Sequence, residues 1–395
     1  MRRSLLAATA LAAAGLAAAP LLADNHSGHA ATGETPVSVS LTPDQLLAPY
    51  YAELRKKVVM PEAGPNPALS PATTLTRIAF GSCNHQNASQ HMWAQIAAQQ
   101  PQLFLMIGDN VYGDAGWDAD AGLESLRSAY ALQASHPEFA GFRAKFPMMA
   151  TWDDHDFGLN DAGGSFPMRR WGEELFETFW GSSDAVRTRD GIYDSSITGP
   201  EGKRVQVILL DTRFFRSDLK RAEWTKDRPP LGGYVPDDNP AKTVLGAEQW
   251  AWLKAELAKP ADLRIVVSST QVITQAHQFE GWTNFPAERA KLLDVLAGRE
   301  ASGLVLLSGD RHAAGIYKVE HGGETMWELT SSSLNLAFGN DNDRSTAREP
   351  DAARVTKFFS EENYGLIDID WKARRLTMTL KGNTSATLAE QAFSW

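Results

Sequence analysis

The stretch TWDDHDFGLNDAG, from Thr151 to Gly163, crowds Asp153, Asp154, Asp156, Asn160 and Asp161 around His155. Left alone, so many carboxylates would repel one another and resist ionisation. A bound cation is the direct compensation, and hard oxygen donors favour calcium, magnesium, manganese or a ferric ion. A solvated acidic loop is the plainer alternative, but Trp152 and Phe157 inside the cluster argue against full exposure. Upstream, GDNVYGD (Gly108 to Asp114) sets a glycine after an apolar run, then Asp109, then Tyr112 three residues on. A tight turn there brings a carboxylate and a phenol to one point, whereas Asp109 alone would read as a cap or turn residue. In SGDRH (Ser308 to His312), Asp310 and His312 share one side of an extended segment and Arg311 takes the other. With Cys83 of FGSCNHQN, these groups make a mixed oxygen, nitrogen and sulfur donor set.

Cys83 is the single cysteine of the chain. It is therefore buried and inert, paired between chains, or bound to something such as a metal. LLDTRFFR offers Asp211 and Arg213. The Arg213 fork suits a phosphate, or equally a salt bridge to Asp211 or to the acidic loop. SSTQVI puts Gln271 just past a strand, as a neutral ligand or a turn hydrogen bonder. No GxSxG serine elbow and no GxxxxGK phosphate loop occurs. A thiol nucleophile at Cys83 would leave the acidic cluster unexplained.

These residues need a scaffold, and the hydrophobic pattern supplies one. Apolar runs at Leu75 to Phe80, Leu103 to Ile107, Val205 to Leu210, Ile265 to Ser268 and Leu304 to Leu307 read as buried strands. Between them, Ser89 to Gln99, Glu124 to Leu132, Met168 to Phe179, Ala247 to Ala258 and Pro286 to Leu296 read as helices. Met326 to Thr330, Gly365 to Ile369 and Leu376 to Leu380 close the chain as strands alone. The order predicts an α/β sandwich of sheets with helices on the outer faces. Each buried strand ends in polar residues, and sites in α/β architectures gather at such carboxyl ends. Pro43 to Val59 reads as a further helix with Leu46, Leu47, Tyr50, Tyr51 and Leu54 on one face, and the Pro/Gly-rich segment from Met60 reads as a linker.

Met1-Arg2-Arg3 followed by an Ala/Leu-rich run to Leu22 has the form of an export signal, and Arg2-Arg3-Ser4-Leu5-Leu6 the outline of a twin-arginine type. Alanine inserts weakly and Pro20 interrupts the run, so cleavage is favoured over anchoring, leaving no transmembrane anchor. Residues 1–23 are thus expected to be a signal, 24–74 a flexible lead-in with a helix and linker, and 75–395 one catalytic domain, exported to the periplasm or the exterior. A formal charge of −10 argues against nucleic acid or anionic lipid as a nonspecific partner.

In order along the chain, FGSCNHQ, LFLMIGDNVYGD, TWDDHDFGLNDAG, VILLDTRFF, LGAEQWAWL, IVVSSTQVI, GWTNFPAER, LVLLSGDRHAAGI and ELTSSSLN resemble the PhoD-like (alkaline phosphatase D) metallophosphoesterases, in their compact subgroup. The resemblance implies a four-layer αββα metallophosphoesterase sandwich with a binuclear metal centre. Asp109 would bridge both ions. Cys83, Tyr112 and His312 would hold the first, and Asp154 and Asp310, with Asp153 beside them, the second. Gln271 falls near a position where relatives use histidine. An Fe(3+) and Ca(2+) pair is implied, with other divalent ions compatible with the second position.

On this reading the chain is a phosphoric ester hydrolase. A hydroxide held by the ions attacks phosphorus, and His155 assists the leaving group with Asp156 or Asp153 holding its ring. Arg213, Arg311 and Asn160 are the candidates for holding phosphoryl oxygens of a small-molecule or lipid phosphate ester. A phosphodiesterase or phospholipase-type activity on the same scaffold is the first alternative. A non-catalytic calcium-binding protein is the second, disfavoured by His155, Tyr112 and Cys83 occurring together.

Overall fold

In a computed structural model the described residues are 41–116, 121–223, 232–299, 302–338 and 349–395. The expected signal and residues 24–40 of the lead-in lie outside them. Strands β1 (Arg77–Gly81), β2 (Leu103–Ile107) and β3 (Met148–Thr151) run parallel. They join the antiparallel β10 (Asn363–Asp370), β11 (Arg375–Gly382) and β12 (Thr387–Ser394) in a six-stranded sheet of order β12-β11-β10-β1-β2-β3. The second six-stranded sheet contains β4 (Asp194–Thr198), β5 (Val205–Leu209), β6 (Leu263–Val267), β7 (Gly303–Ser308), β8 (Ala314–His321) and β9 (Glu324–Ser331), in the order β4-β5-β6-β7-β9-β8.

Side-chain alternation along these strands builds the layers. Ile78 and Phe80 of β1 and Leu103, Leu105 and Ile107 of β2 meet Val207, Leu209, Ile265, Val267 and Leu307 in a core shared by both sheets. The intervening residues, Ala79, Phe104 and Met106, face the other way. There they are covered by α2 (Met92–Ala98), α3 (Glu124–Ser135), α4 (Pro137–Arg143) and α6 (Arg169–Trp180), with Trp93, Tyr130, Phe142 and Phe176 in the same cluster. On the second sheet Ile208, Val266, Leu304 and Leu306 pack under α8 (Gly246–Leu257) and α9 (Pro286–Ala297). The near-continuous apolar runs of the central strands, broken by Gln206 of β5 and Arg264 of β6, follow from this covering of both faces. The result is the layered α/β sandwich expected from the pattern.

Some boundaries differ. The first helix, α1 (Pro43–Leu54), stops short of Val59. Of its apolar residues Tyr51 is buried, stacked 5.0 Å from Trp171 of α6, while Leu46 and Tyr50 are exposed. The lead-in from residue 41 therefore belongs to the same compact unit as the sheets. Strands β3, β4, β8 and β12 have no counterpart among the expected strands. Each is a sheet edge, where one side of the ladder is open and polar residues are tolerated. Among the described residues no helix is long and apolar enough to cross a membrane.

Because β1, β2 and β3 are parallel, as are β5, β6, β7 and β9, their carboxyl ends lie together. The segments that follow them carry nearly all the residues with chemistry.

Candidate metal centre and catalytic site

Asp109, directly after β2, is the hub. In each of three groups one of its oxygens lies within 4.8 Å of the other donor atoms: with Cys83 and His312, with Asp154 and His155, and with Asp153, Asp154 and Asp310. A fourth group joins Asp154, Asp161 and Glu280. The Cys83 thiol donates to Asp109 Oδ2 at 3.4 Å and the Tyr112 hydroxyl donates to the same oxygen at 3.1 Å. Protons thus sit where a cation would otherwise bind. The second oxygen, Asp109 Oδ1, is buried without a hydrogen-bond partner, as is Asp153 Oδ2.

The backbone is bent to make this arrangement. Cys83 (φ 57°), Asp109 (φ 49°), Asp161 (φ 54°), Asp310 (φ 68°) and His312 (φ 49°) are left-handed. That conformation costs a side-chain-bearing residue on the order of 1–3 kcal/mol, and such strain collects at functional sites. Gly108 before Asp109 has φ 116°, and a Cβ there would come within 2.8 Å of the Asp153 Cβ. A glycine is required for the two acidic turns to meet.

Neighbouring groups hold the donors in place. Gln86 clamps Tyr112 twice, accepting from its N–H at 2.9 Å and donating to its carbonyl at 2.8 Å. The His85 ring stacks on Tyr112 with centroids 5.0 Å apart and planes 7° from parallel. Ser332 Oγ lies 3.1 Å from the Cys83 sulfur and accepts from the His312 N–H at 2.9 Å. His312 Nδ1 is 2.7 Å from the Leu336 carbonyl, which can only accept, so Nδ1 carries the proton and Nε2 is left as a lone-pair donor.

His155 is held by Asp114, whose Oδ2 is 2.6 Å from Nδ1. This corrects the expectation that Asp156 or Asp153 would hold the ring. Asp156 turns back into its own loop, accepting from the Asp153 N–H at 2.6 Å and the Asn110 N–H at 3.2 Å. Asp153 Oδ1 is taken by Arg213 Nε at 2.5 Å and Ser269 Oγ at 2.7 Å.

Arg213 is also placed differently from the expectation. Fully buried, it bridges Asp153 and Glu280, leaving no route to a substrate oxygen. Gln271 is engaged elsewhere: its amide donates to Thr330 Oγ1 at 2.8 Å and its carbonyl oxygen sits 3.0 Å from His277 Nε2. Arg311 does line the cavity, yet it is buried and paired to Glu349 at 2.5 Å. Asn160 is exposed on the cavity wall.

Electrostatics describe a place short of positive charge. Burial pushes Asp109 up to about 8 despite the pull of His155, and Asp154 and Asp156 add to the rise. Burial likewise raises Asp153 well above the carboxylate range against the pull of Arg213. Asp310 is raised by burial and then by Asp153. For Asp154 the cost of burial is outweighed by His155, Arg213 and the Asp161 N–H, which hold it below the usual range. Burial opposes a charge on His155, but Asp154, Asp109 and Asp114 prevail and push it up to about 11. Burial and then the Asp109 charge keep the Cys83 thiol and the Tyr112 phenol well above their ordinary values. Unpartnered buried oxygens, strained ligand-type residues and carboxylates that resist ionisation together fit a site built for cations.

Above this cluster opens a cavity of about 460 Å³, lined by Asp154, His155, Asp310 and His312 below and by Tyr234, Phe279 and Phe338 among the outer residues. Glu280 and Asp114 were not singled out from the sequence. Asp114 ends the GDNVYGD segment already quoted; Glu280 stands alone between aromatic residues, with no local pattern to mark it.

Fold and site together define a layered α/β protein with its ligand cluster at the carboxyl ends of both parallel strand sets. A sequence model of the PhoD-like phosphatases matches residues 78–162 and 184–380, and the chain belongs to that family. Alkaline phosphatase D of Bacillus subtilis (strain 168) is 24% identical over 271 residues, covering 60% of this chain and 46% of that protein. The chain thus spans about half the length of this curated relative. A solved structure of PhoD superimposes with a TM-score of 0.64 at 17% identity, covering 83% of this chain and 71% of that one, a likeness of fold.

Proposed function

We propose that the chain is a binuclear metal-dependent phosphoric ester hydrolase of the alkaline phosphatase D type, exported to the periplasm or the exterior. The observation that carries this reading is Asp109, shared between a thiol, phenol and imidazole set and a carboxylate set. Cys83, Asp109, Tyr112 and His312 would hold one ion, their mixed thiolate, phenolate, carboxylate and imidazole set suiting a transition metal such as iron. Asp109, Asp153, Asp154 and Asp310 would hold the other, their oxygens suiting calcium or another hard divalent ion. When bound, two cations supply Lewis acidity toward phosphoryl oxygens and activate water for attack.

The protein's own groups do the rest. Asp114 fixes the His155 ring through Nδ1, so Nε2 is the nitrogen available to protonate a departing alkoxide. Arg213 holds Asp153 rather than substrate, and Asn160 is the uncharged side chain on the wall that can donate to a phosphoryl oxygen. A cavity of about 460 Å³ accommodates a whole organic ester, small-molecule or lipid-derived, beyond the phosphate itself.

The test is metal analysis with a visible spectrum on protein from its native compartment, alongside turnover of 4-nitrophenyl phosphate and bis(4-nitrophenyl) phosphate. Iron and a hard divalent ion, with hydrolysis of at least one ester, are expected. The ratio of the two rates assigns monoesterase or diesterase preference. A fully metallated protein that cleaves neither ester would return the site to a calcium-binding role.

A further inference from the structure

Three guanidinium groups at this end of the molecule are spent on buried carboxylates: Arg213 on Asp153 and Glu280, Arg216 on Glu280 at 3.4 Å, and Arg311 on Glu349. Arg221 differs. It lines the same cavity, is exposed, and makes no ion pair with any described residue. Its guanidinium lies 5.3 Å from the centroid of the Tyr234 ring. The two residues are also bridged through the backbone, Ala222 N–H donating to the Gly233 carbonyl at 2.8 Å and Val235 N–H to the Lys220 carbonyl at 2.9 Å.

Tyr234 measures how far out this cation stands. Its hydroxyl donates to Asp161 Oδ2, and the Asp161 N–H donates to Asp154 Oδ2 at 2.7 Å. The phenol end therefore belongs to the acidic floor, and the guanidinium of the exposed Arg221 lies over the ring. A phosphoryl group seated on the floor would place its leaving group beside Tyr234 and Arg221. An aromatic face carrying a cation without a carboxylate partner recognises a group that is both flat or apolar and anionic.

We infer that Arg221, with the Tyr234 ring beneath it, is a leaving-group subsite that selects phosphate esters whose alcohol portion carries its own negative charge. This rests on the hydrolase reading above and adds a substrate class to it. Arg221 is a specificity-determining residue here, with no part in the bond-breaking step.

The experiment compares 4-nitrophenyl phosphate with its 3-carboxy derivative, using the metallated wild type, Arg221→Gln and Arg221→Lys. A charged hydrogen bond of this kind corresponds to about a tenfold effect. Arg221→Gln is expected to lower kcat/KM for the carboxylated ester about tenfold and to leave the uncharged-leaving-group ester within twofold. Arg221→Lys recovers part of the loss, and unchanged melting shows that the fold is intact. An equal fall for both esters would place Arg221 on the reacting phosphoryl group and overturn the subsite; no change for either would overturn it as well. Should the wild type cleave neither ester, the hydrolase reading fails on its own. Equilibrium binding of the two corresponding methylphosphonate esters then decides the subsite by the same comparison.

Discussion

Arg213→Met separates a structural cation from a substrate-gripping one. The side chain is wholly buried, donates to Asp153 at 2.5 Å through Nε, bridges to Glu280, and lies 3.8 Å from Asp154. Methionine fills much of the same volume, so the cavity cost is small, but Asp153 loses its counter-charge and Glu280 keeps only Arg216, at 3.4 Å. Removing one partner of a buried pair costs about 3–5 kcal/mol. For a chain of 395 residues, an unfolding entropy of ~2.1 cal/mol/K per residue makes each kcal/mol worth roughly 1.2 °C. The metal-free variant should therefore melt ~4–6 °C below wild type. Scanning calorimetry or fluorimetry in chelator, repeated with metal, reads this directly. Steady-state kinetics of the loaded protein supply the second axis. Arg213→Lys keeps one charge but cannot span both acids, and should fall between. Melting within ~1 °C of wild type, together with a tenfold rise in KM, would refute the structural assignment and restore Arg213 as a phosphate ligand.

Other outcomes follow from the same geometry. His155→Ala should lower kcat by about 10²–10³ for esters with poor leaving groups and much less for 4-nitrophenyl esters, because only the former need a proton on departure; equal losses for both would remove His155 as the acid. Cys83→Ala should bind one ion fewer per chain by elemental analysis, and an unchanged ion count would take the thiol out of the ligand set. In ferric protein, Tyr112→Phe should abolish a phenolate charge-transfer band in the visible spectrum, which its persistence would contradict. Glu173 of α6, which belongs to none of the donor groups, is pushed up to about 8 by burial, against the pull of Arg170 and the Gly191 N–H. Its folded value lies above the unfolded value near 4.5, so its contribution is fully present below pH ~4.5 and is lost as pH rises through ~8. Wild type should lose a few kcal/mol relative to Glu173→Gln across that window in urea titrations, and parallel curves would count against the assignment.

The layers were legible because the central strands are covered on both faces. Their apolar runs are nearly continuous, and β2 matches its sequence-based bounds at both ends. Edge strands such as β4 (DSSIT) escaped notice because one-sided burial leaves a mixed sequence that resembles a loop. The segments that carry Cys83, Asp109, Asp153, Asp154, Asp310 and His312 were legible for a related reason: each is the polar break after a buried or short strand, and the chemistry of donor side chains is local to the residue.

Partnership is not local. Whether Arg213 faces a substrate or two buried acids depends on Asp153 and Glu280, which lie 60 and 67 residues away. Asp114 rather than Asp156 holds His155 because the turn after β2 folds over the acidic loop, and nothing in the spacing of TWDDHDFGLNDAG records that. Gln271 ends a strand just as the donors do, yet its amide is spent on Thr330 and His277. Residue types and their breaks from apolar strands determined which chemistry is available; the packing of two sheets face to face decided which charges neutralise one another and which remain for a ligand.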